Sequence, residues 1–146
     1  MNAADLIQYR LLLAEGFLKE AEQDFALERW RSCVDNAQLA TENAGKSVLA
    51  LFGAASKTHD PAQQIARIVR SKDLGEPMRG MLEKMIPDLL ALGSAEHFMT
   101  DYGDEASLRL PWDIFDKEAA SDALNAARRC IDSARSIFHT WTSDAS

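Results

Sequence analysis

The chain predicts an all-α fold, a compact antiparallel bundle of about five helices forming one domain over residues 1–146. Apolar residues recur three and four apart over long stretches, and no period-two alternation of the kind a half-buried strand needs is present. The composition is globular, with 47% hydrophobic residues, four prolines and seven glycines. A chain of this length buries enough apolar surface to dispense with metal or disulfide staples.

The first helix is expected from about Ala4 to Ala26, with Leu6, Tyr9, Leu13, Phe17 and Ala21 on its core face. Leu27-Glu28-Arg29 reads as a tight turn. In the second helix Trp30, Val34, Ala37, Ala40, Ala44, Val48 and Leu51 form a small-residue stripe that lets a neighbouring helix approach closely. Gly53 to Ser56 ends it. Asp60 suits an N-cap, Pro61 the first helical position and Gln63 the capping-box partner, so a third helix runs through Ile65, Ile68 and Val69 to about Ser71. A fourth starts near Pro77 and buries Met81, Leu82, Met85, Leu89 and Leu92, with a kink or break expected at Pro87. From Thr100 to Phe115 the period fails, which predicts an irregular acidic loop. The last helix, from about Asp116 to Trp141, repeats Ala120, Leu124, Ala127, Ile131, Ala134 and Phe138. The apolar residues Leu11, Leu12, Leu18, Leu49 and Phe52 fall off the principal stripes of the first two helices, more than one small bundle covers, which predicts self-association.

Sixteen basic and twenty-three acidic side chains leave a net charge of −7, which argues against a surface devoted to non-specific nucleic-acid binding. Seven acids against two bases between Ser94 and Glu118 concentrate the excess there. Cys33 and Cys130 sit far apart within helical patterns, the usage of a reducing compartment. No apolar run approaches a membrane span and the N-terminus lacks the shape of a signal peptide, so a soluble, cytoplasmic protein is expected.

Ala37, Ala40, Lys46, Leu49 and Gly53, followed by Thr58-His59-Asp60, match the texture of the second helix and following turn of the HEPN family, and Leu12-Leu13-Ala14 with Ala21 are similar to its first helix. The chain therefore resembles the small α-helical prokaryotic HEPN proteins. The resemblance implies a helical bundle that dimerises and works beside a small nucleotidyltransferase in toxin–antitoxin or defence systems. It also implies, for the ribonucleases of the family, an arginine and a histidine separated by four to six residues that cleave RNA without metal.

Arg135 and His139 are the catalytic candidates under that resemblance, yet only three residues separate them. Four-residue spacing still sets them on one helix face with Arg128 and Asp132. His139 would move the 2′-hydroxyl proton and Arg135 would stabilise the phosphorane; the structural reading is a polar edge near a helix C-terminus. Lys57, His59 and Tyr102 are the ligand-binding candidates. His59 reads equally as a side chain that fixes a turn. Tyr102 stands where many relatives carry an arginine-tyrosine-proline cluster, but Asp101 replaces the basic position and would repel phosphate. Trp112 offers a stacking surface for a base, although a lone tryptophan beside Leu110, Ile114 and Phe115 more often pins a loop to the core.

Ala40 to Ser47 differs from the phosphate-binding G-x-x-x-x-G-K-[ST] only by an alanine for the first glycine. No strand precedes it and it lies within a helical stripe, so its N–H groups are consumed by helix bonds and Lys46 reads as a solvated lysine. His59, His97 and His139 lack metal-ligand spacing, and neither a metal nor another cofactor is expected. The resulting expectation is a non-catalytic HEPN interaction or nucleic-acid-associated module, a homodimer paired with a small nucleotidyltransferase. The alternative is a metal-independent endoribonuclease toxin using Arg135 and His139, and the third reading is a helper subunit that binds RNA or a nucleotide for a partner enzyme.

Overall fold

The structure, a computed structural model, describes residues 2–53, 60–71, 73–93 and 99–145. Six helices are labelled within them: α1 (Ala3–Ala26), α2 (Trp30–Leu51), α3 (Ala62–Ser71), α4 (Met78–Ala91), the short α5 (Pro111–Ile114) and α6 (Lys117–Ala145). Among the described residues there is no strand, and the pairing of Asp104 with Arg109 is an isolated bridge. None of the helices described is long and apolar enough to cross a membrane.

Local signals set the helix ends. Asn2 accepts from the Asp5 N–H at 2.8 Å and opens α1, while Asp116 accepts from the Ala119 N–H at 2.8 Å and opens α6. The turn at residues 27–29 is closed by the Arg29 N–H donating to the Asp24 carbonyl at 2.8 Å, with Glu28 in the left-handed region at φ 58°. In α3 the Pro61 carbonyl accepts from the Ile65 N–H at 3.0 Å and the helix begins at Ala62, one residue later than the sequence suggests. Thr58 and His59 of that corner lie outside the described residues.

Helix α2 packs against all the other labelled helices. Contacts of Cys33 with Ala120 and of Phe52 with Trp141 show that α2 and α6 run in the same direction. Glu15–Arg135 and Glu22–Arg128 pairs show that α1 runs against them. The core is formed by Ala37, Ala40, Ala44 and Val48 of α2, Ile7, Leu11 and Ala14 of α1, Leu82, Met85 and Leu89 of α4, and Ala127, Ile131 and Ile137 of α6.

Three sequence expectations are corrected. The core face of α1 carries Ile7, Leu11, Ala14 and Ala21, whereas Leu6 and Tyr9 are exposed, because α1 is apolar on two sides and α2 covers only one. Pro87 does not end α4, which continues to Ala91. The carbonyl that loses its donor there belongs to Glu83, and Glu83 and Pro87 are both exposed, the setting in which a carbonyl without a helical donor costs least. The segment from Thr100 to Phe115 is more regular than expected. Helical backbone at residues 99–102 leads to a tight turn closed by reciprocal Asp104–Arg109 bonds of 2.9 Å, and α5 follows.

A close approach onto α2 occurs at Gly45, where an added Cβ would lie 2.6 Å from Pro61 Cγ and 3.1 Å from Leu89 Cδ2. Gly45→Ala is therefore expected to destabilise the protein by about 1–2 kcal/mol, despite alanine being the better helix former. Thermal unfolding should show Tm lower by roughly 2–8 °C.

Candidate functional site

Arg135 and His139 are one turn apart on α6, both exposed, at the edge where α6 meets α1. The Arg135 guanidinium is engaged: Nη2 and Nε donate to Glu15 Oε1 at 2.7 and 3.0 Å, and Nη1 donates to Asp132 Oδ1 at 3.3 Å. Arg128 continues the edge with Glu22 at 3.6 Å. The edge is a ladder of opposite charges, and Arg135 would have to leave two carboxylates to meet a phosphate. Lys57 and His59 lie outside the described residues. Tyr102 is 63% exposed on the helical turn at 99–102. That turn docks at the start of α2, near Ala120, whereas Arg135 lies fifteen residues further along α6, roughly 22 Å away at helical rise. The structure keeps Tyr102 apart from the Arg135–His139 pair.

The sequence reading missed a polar stripe on α2. Arg31, Asp35, Gln38, Glu42 and Lys46 follow one another at helical spacing on a buried helix. Lys46, expected to be solvated, is instead enclosed: Nζ sits 3.3 Å from Glu42 Oε2, with side chains only 10% and 7% exposed. The octapeptide Ala40–Ser47 lies wholly within helix and forms no phosphate loop. At the other end of the stripe Arg31 Nη1 donates to the Thr100 carbonyl at 3.0 Å, and Thr100 Oγ1 donates to Asp35 Oδ1 at 3.1 Å. Buried Thr100 thereby ties the 99–102 turn to α2. The signal was the three-and-four spacing of the polar residues themselves, which marks a shared face and leaves open whether water or protein covers it.

Trp112 also departs from expectation. It is 69% exposed instead of pinned into the core, and the Arg31 guanidinium carbon stands 5.9 Å from its ring centroid. The anchoring falls to its neighbours Pro111 and Phe115, both buried.

On the outer side of α1, Tyr9, Leu12, Leu13, Gly16 and Glu20, with Phe17 where it borders the core, line a shallow apolar concavity of about 400 Å³. Tyr9 is 50% and Leu12 56% exposed. Gly16 leaves its centre open, with nothing within 4 Å of a built Cβ.

Both cysteines are buried free thiols. Burial pushes Cys33 up to about 11, reinforced by Asp24, and Cys130 up to about 12, reinforced by Asp88. The folded thiols stay protonated where those of the unfolded chain ionise. Their contribution to stability is therefore present below about pH 8 and is lost as pH rises through the folded values of about 11 and about 12. Native protein at about pH 8 should resist a thiol-specific disulfide reagent at both positions and react at both once denatured; prompt reaction of either in the native state contradicts this burial.

A sequence model described as the HEPN domain matches residues 7–137. The structure is similar to the crystal structure of TT1696 from Thermus thermophilus, with a TM-score of 0.71 at 18% identity, covering 90% of this chain and 97% of that one. It is also similar to ST0689, an archaeal HEPN homologue, with a TM-score of 0.65 at 18% identity, covering 93% of this chain and 97% of that one. No curated protein matches the sequence.

Proposed function

The chain belongs to the HEPN family, and from that premise we propose that it is a non-catalytic interaction module, a homodimer joined through the outer face of α1. The observation that carries this reading is the apolar strip of Tyr9, Leu12 and Leu13, which lies away from the core face of the same helix and is bordered by Phe17, itself partly buried against the core. A contiguous apolar patch bordered by polar residues marks an interface. The strip is also self-complementary. Tyr9 and Phe17 lie four residues to either side of Leu13, so an antiparallel crossing of two α1 helices at Leu13 sets Tyr9 of each copy against Phe17 of the other. Glu20, the one carboxylate lining the strip, then approaches the second copy's Tyr9 hydroxyl, a donor it can accept from.

The engagement of Arg135 by Glu15 and Asp132 supports the non-catalytic side of the reading. In the same proposal the dimer is a cytoplasmic component paired with a small nucleotidyltransferase, of the toxin–antitoxin or defence kind that the family resemblance implies.

Sedimentation at micromolar concentration should report a dimer. Leu12→Glu puts a charge where the monomer already exposes the side chain, so the fold should keep its Tm. Burying a leucine is worth roughly 1.5–3 kcal/mol, so dimer affinity should fall by about tenfold or more. A wild-type monomer, or a Leu12→Glu variant with undiminished dimerisation, refutes the α1 interface. Single-stranded RNA incubated with the protein in chelator should remain intact; cleavage that disappears with His139→Ala refutes the non-catalytic assignment.

A further inference from the structure

Between Asp101 and Glu118 four large apolar side chains stand in water: Tyr102 and Trp112, with Leu110 58% and Leu108 89% exposed. Gly103 brings them together. Its backbone, at φ 71°, lies against Arg109 and Pro111, where an added Cβ would collide with the Arg109 carbonyl oxygen and stand 3.0 Å from Pro111 Cδ. The chain at Tyr102 therefore runs beside the chain at Leu110 and Trp112, and the reciprocal Asp104–Arg109 bonds of 2.9 Å close the turn that carries Leu108. Leu108 itself has φ 59°, a left-handed conformation that suits glycine or asparagine far better than leucine. A side chain that is almost wholly in water and strains its own backbone gives the monomer nothing, which places its use in a contact with another molecule.

The surroundings fix the charge of what covers it. From Asp101 to Glu118 six carboxylates stand against two bases, Arg109 and Lys117. Asp104, Glu105 and Asp113, the carboxylates closest in the chain to the two leucines, make no ion pair among the described residues. Asp104 accepts from the Ala106 N–H at 3.1 Å and Asp113 from the Leu110 N–H at 3.3 Å, bonds that fix the carboxylates without neutralising them. The Arg109 guanidinium donates to the Asp113 backbone carbonyl at 3.0 Å and leaves the Asp113 carboxylate charged. Arg31 stands at the Trp112 end, 5.9 Å from the ring centroid, while the acids gather toward Leu108 and Leu110. The single bridge between Asp104 and Arg109 offers no strand edge to extend, so side chains must carry any docking here.

We propose that Tyr102, Leu108 and Leu110 form a docking surface for a basic amphipathic helix of a partner protein, its apolar side chains seated on the leucines and its lysines or arginines paired with Asp104, Glu105 and Asp113. Such docking rests on the reading of the chain as an interaction module, and it leaves the α1 dimer untouched.

Nuclear magnetic resonance titration of the isotope-labelled full chain with a synthetic amphipathic helix of leucine and lysine tests the surface. Saturable binding is expected, with shift changes centred on residues 102–113. A peptide of equal charge with serine for leucine should bind about tenfold more weakly, as should one of equal apolarity with glutamate for lysine. Leu108→Asn relieves the left-handed backbone, so its Tm should not fall while affinity falls about tenfold. Glu105→Lys, at an exposed position, should weaken binding and reduce its dependence on salt. No saturable binding at millimolar peptide, a response centred outside residues 102–113 or affinity unchanged in both variants overturns the proposal, as does either control peptide binding as well as the first. Single-stranded RNA that takes the peptide's place on these residues overturns it too, because the carboxylates should repel phosphate. Leu12→Glu should bind the peptide as wild type does, so loss of the dimer and loss of docking are read separately; RNA cleavage, the outcome that removes the interaction-module reading, is measured without peptide.

Discussion

Enclosure of α2 is the constraint on which the rest of the structure depends. A helix touched by every other labelled helix cannot carry bulk on all sides, and Ala37, Ala40, Ala44 and Gly45 keep its surface low where neighbours cross. Gly45 is the extreme case, since the ring of Pro61 occupies the space a methyl would need. The polar residues on α2 are then buried by position. Thr41 and Ser47 satisfy themselves on helix carbonyls at 2.9 and 2.7 Å, Asn43 accepts from Arg10 at 3.2 Å, and Glu42 pairs with Lys46. A buried ion pair adds little net stability because desolvation offsets its attraction, yet it penalises any packing that would separate the partners.

The arginines of α6 differ from those at the start of α2. Arg128, Arg129 and Arg135 are paired with Glu22, Asp88, and Glu15 with Asp132, and these pairs join α6 to α1 and α4. The Arg129–Asp88 contact is bidentate at 2.9 and 3.0 Å, a geometry that orients as well as attracts. Exposed pairs of this kind contribute roughly 0–1 kcal/mol each, so their main effect is to neutralise the edges of α6. Arg29 and Arg31 at the beginning of α2 have no such pairing among the described residues, and they line one cavity together with Glu28.

The outer face of α1 and the cavity at the start of α2 are separated along α1. Leu13, at the centre of the apolar strip, is fourteen residues from the turn at Leu27, roughly 21 Å of helix. One helix thus carries an exposed apolar strip at its middle and leads at its end into a cavity lined by charged and aromatic side chains. Neither feature involves the Arg135–His139 edge.

Periodicity in the sequence determined the fold class, the extents of α1, α2 and α6 to within a few residues, the turn at residues 27–29 and the small-residue stripe that brings helices onto α2. These are legible because helix propensity, caps and three-and-four spacing act between residues close in the chain. The bond geometry of Ala40–Ser47 was legible for the same reason, since a helix consumes the N–H groups a phosphate loop would need. What the tertiary structure decided is which face of each helix is covered. On α1 both Tyr9 with Leu13 and Ile7 with Leu11 satisfy the period, and only the placement of α2 selects the second set for the core. The same choice enclosed Lys46, left Trp112 in the open beside Arg31, and placed Pro87 on an exposed side of α4. Sequence spacing states which side chains share a face; whether that face meets protein or solvent depends on contacts between residues distant in the chain.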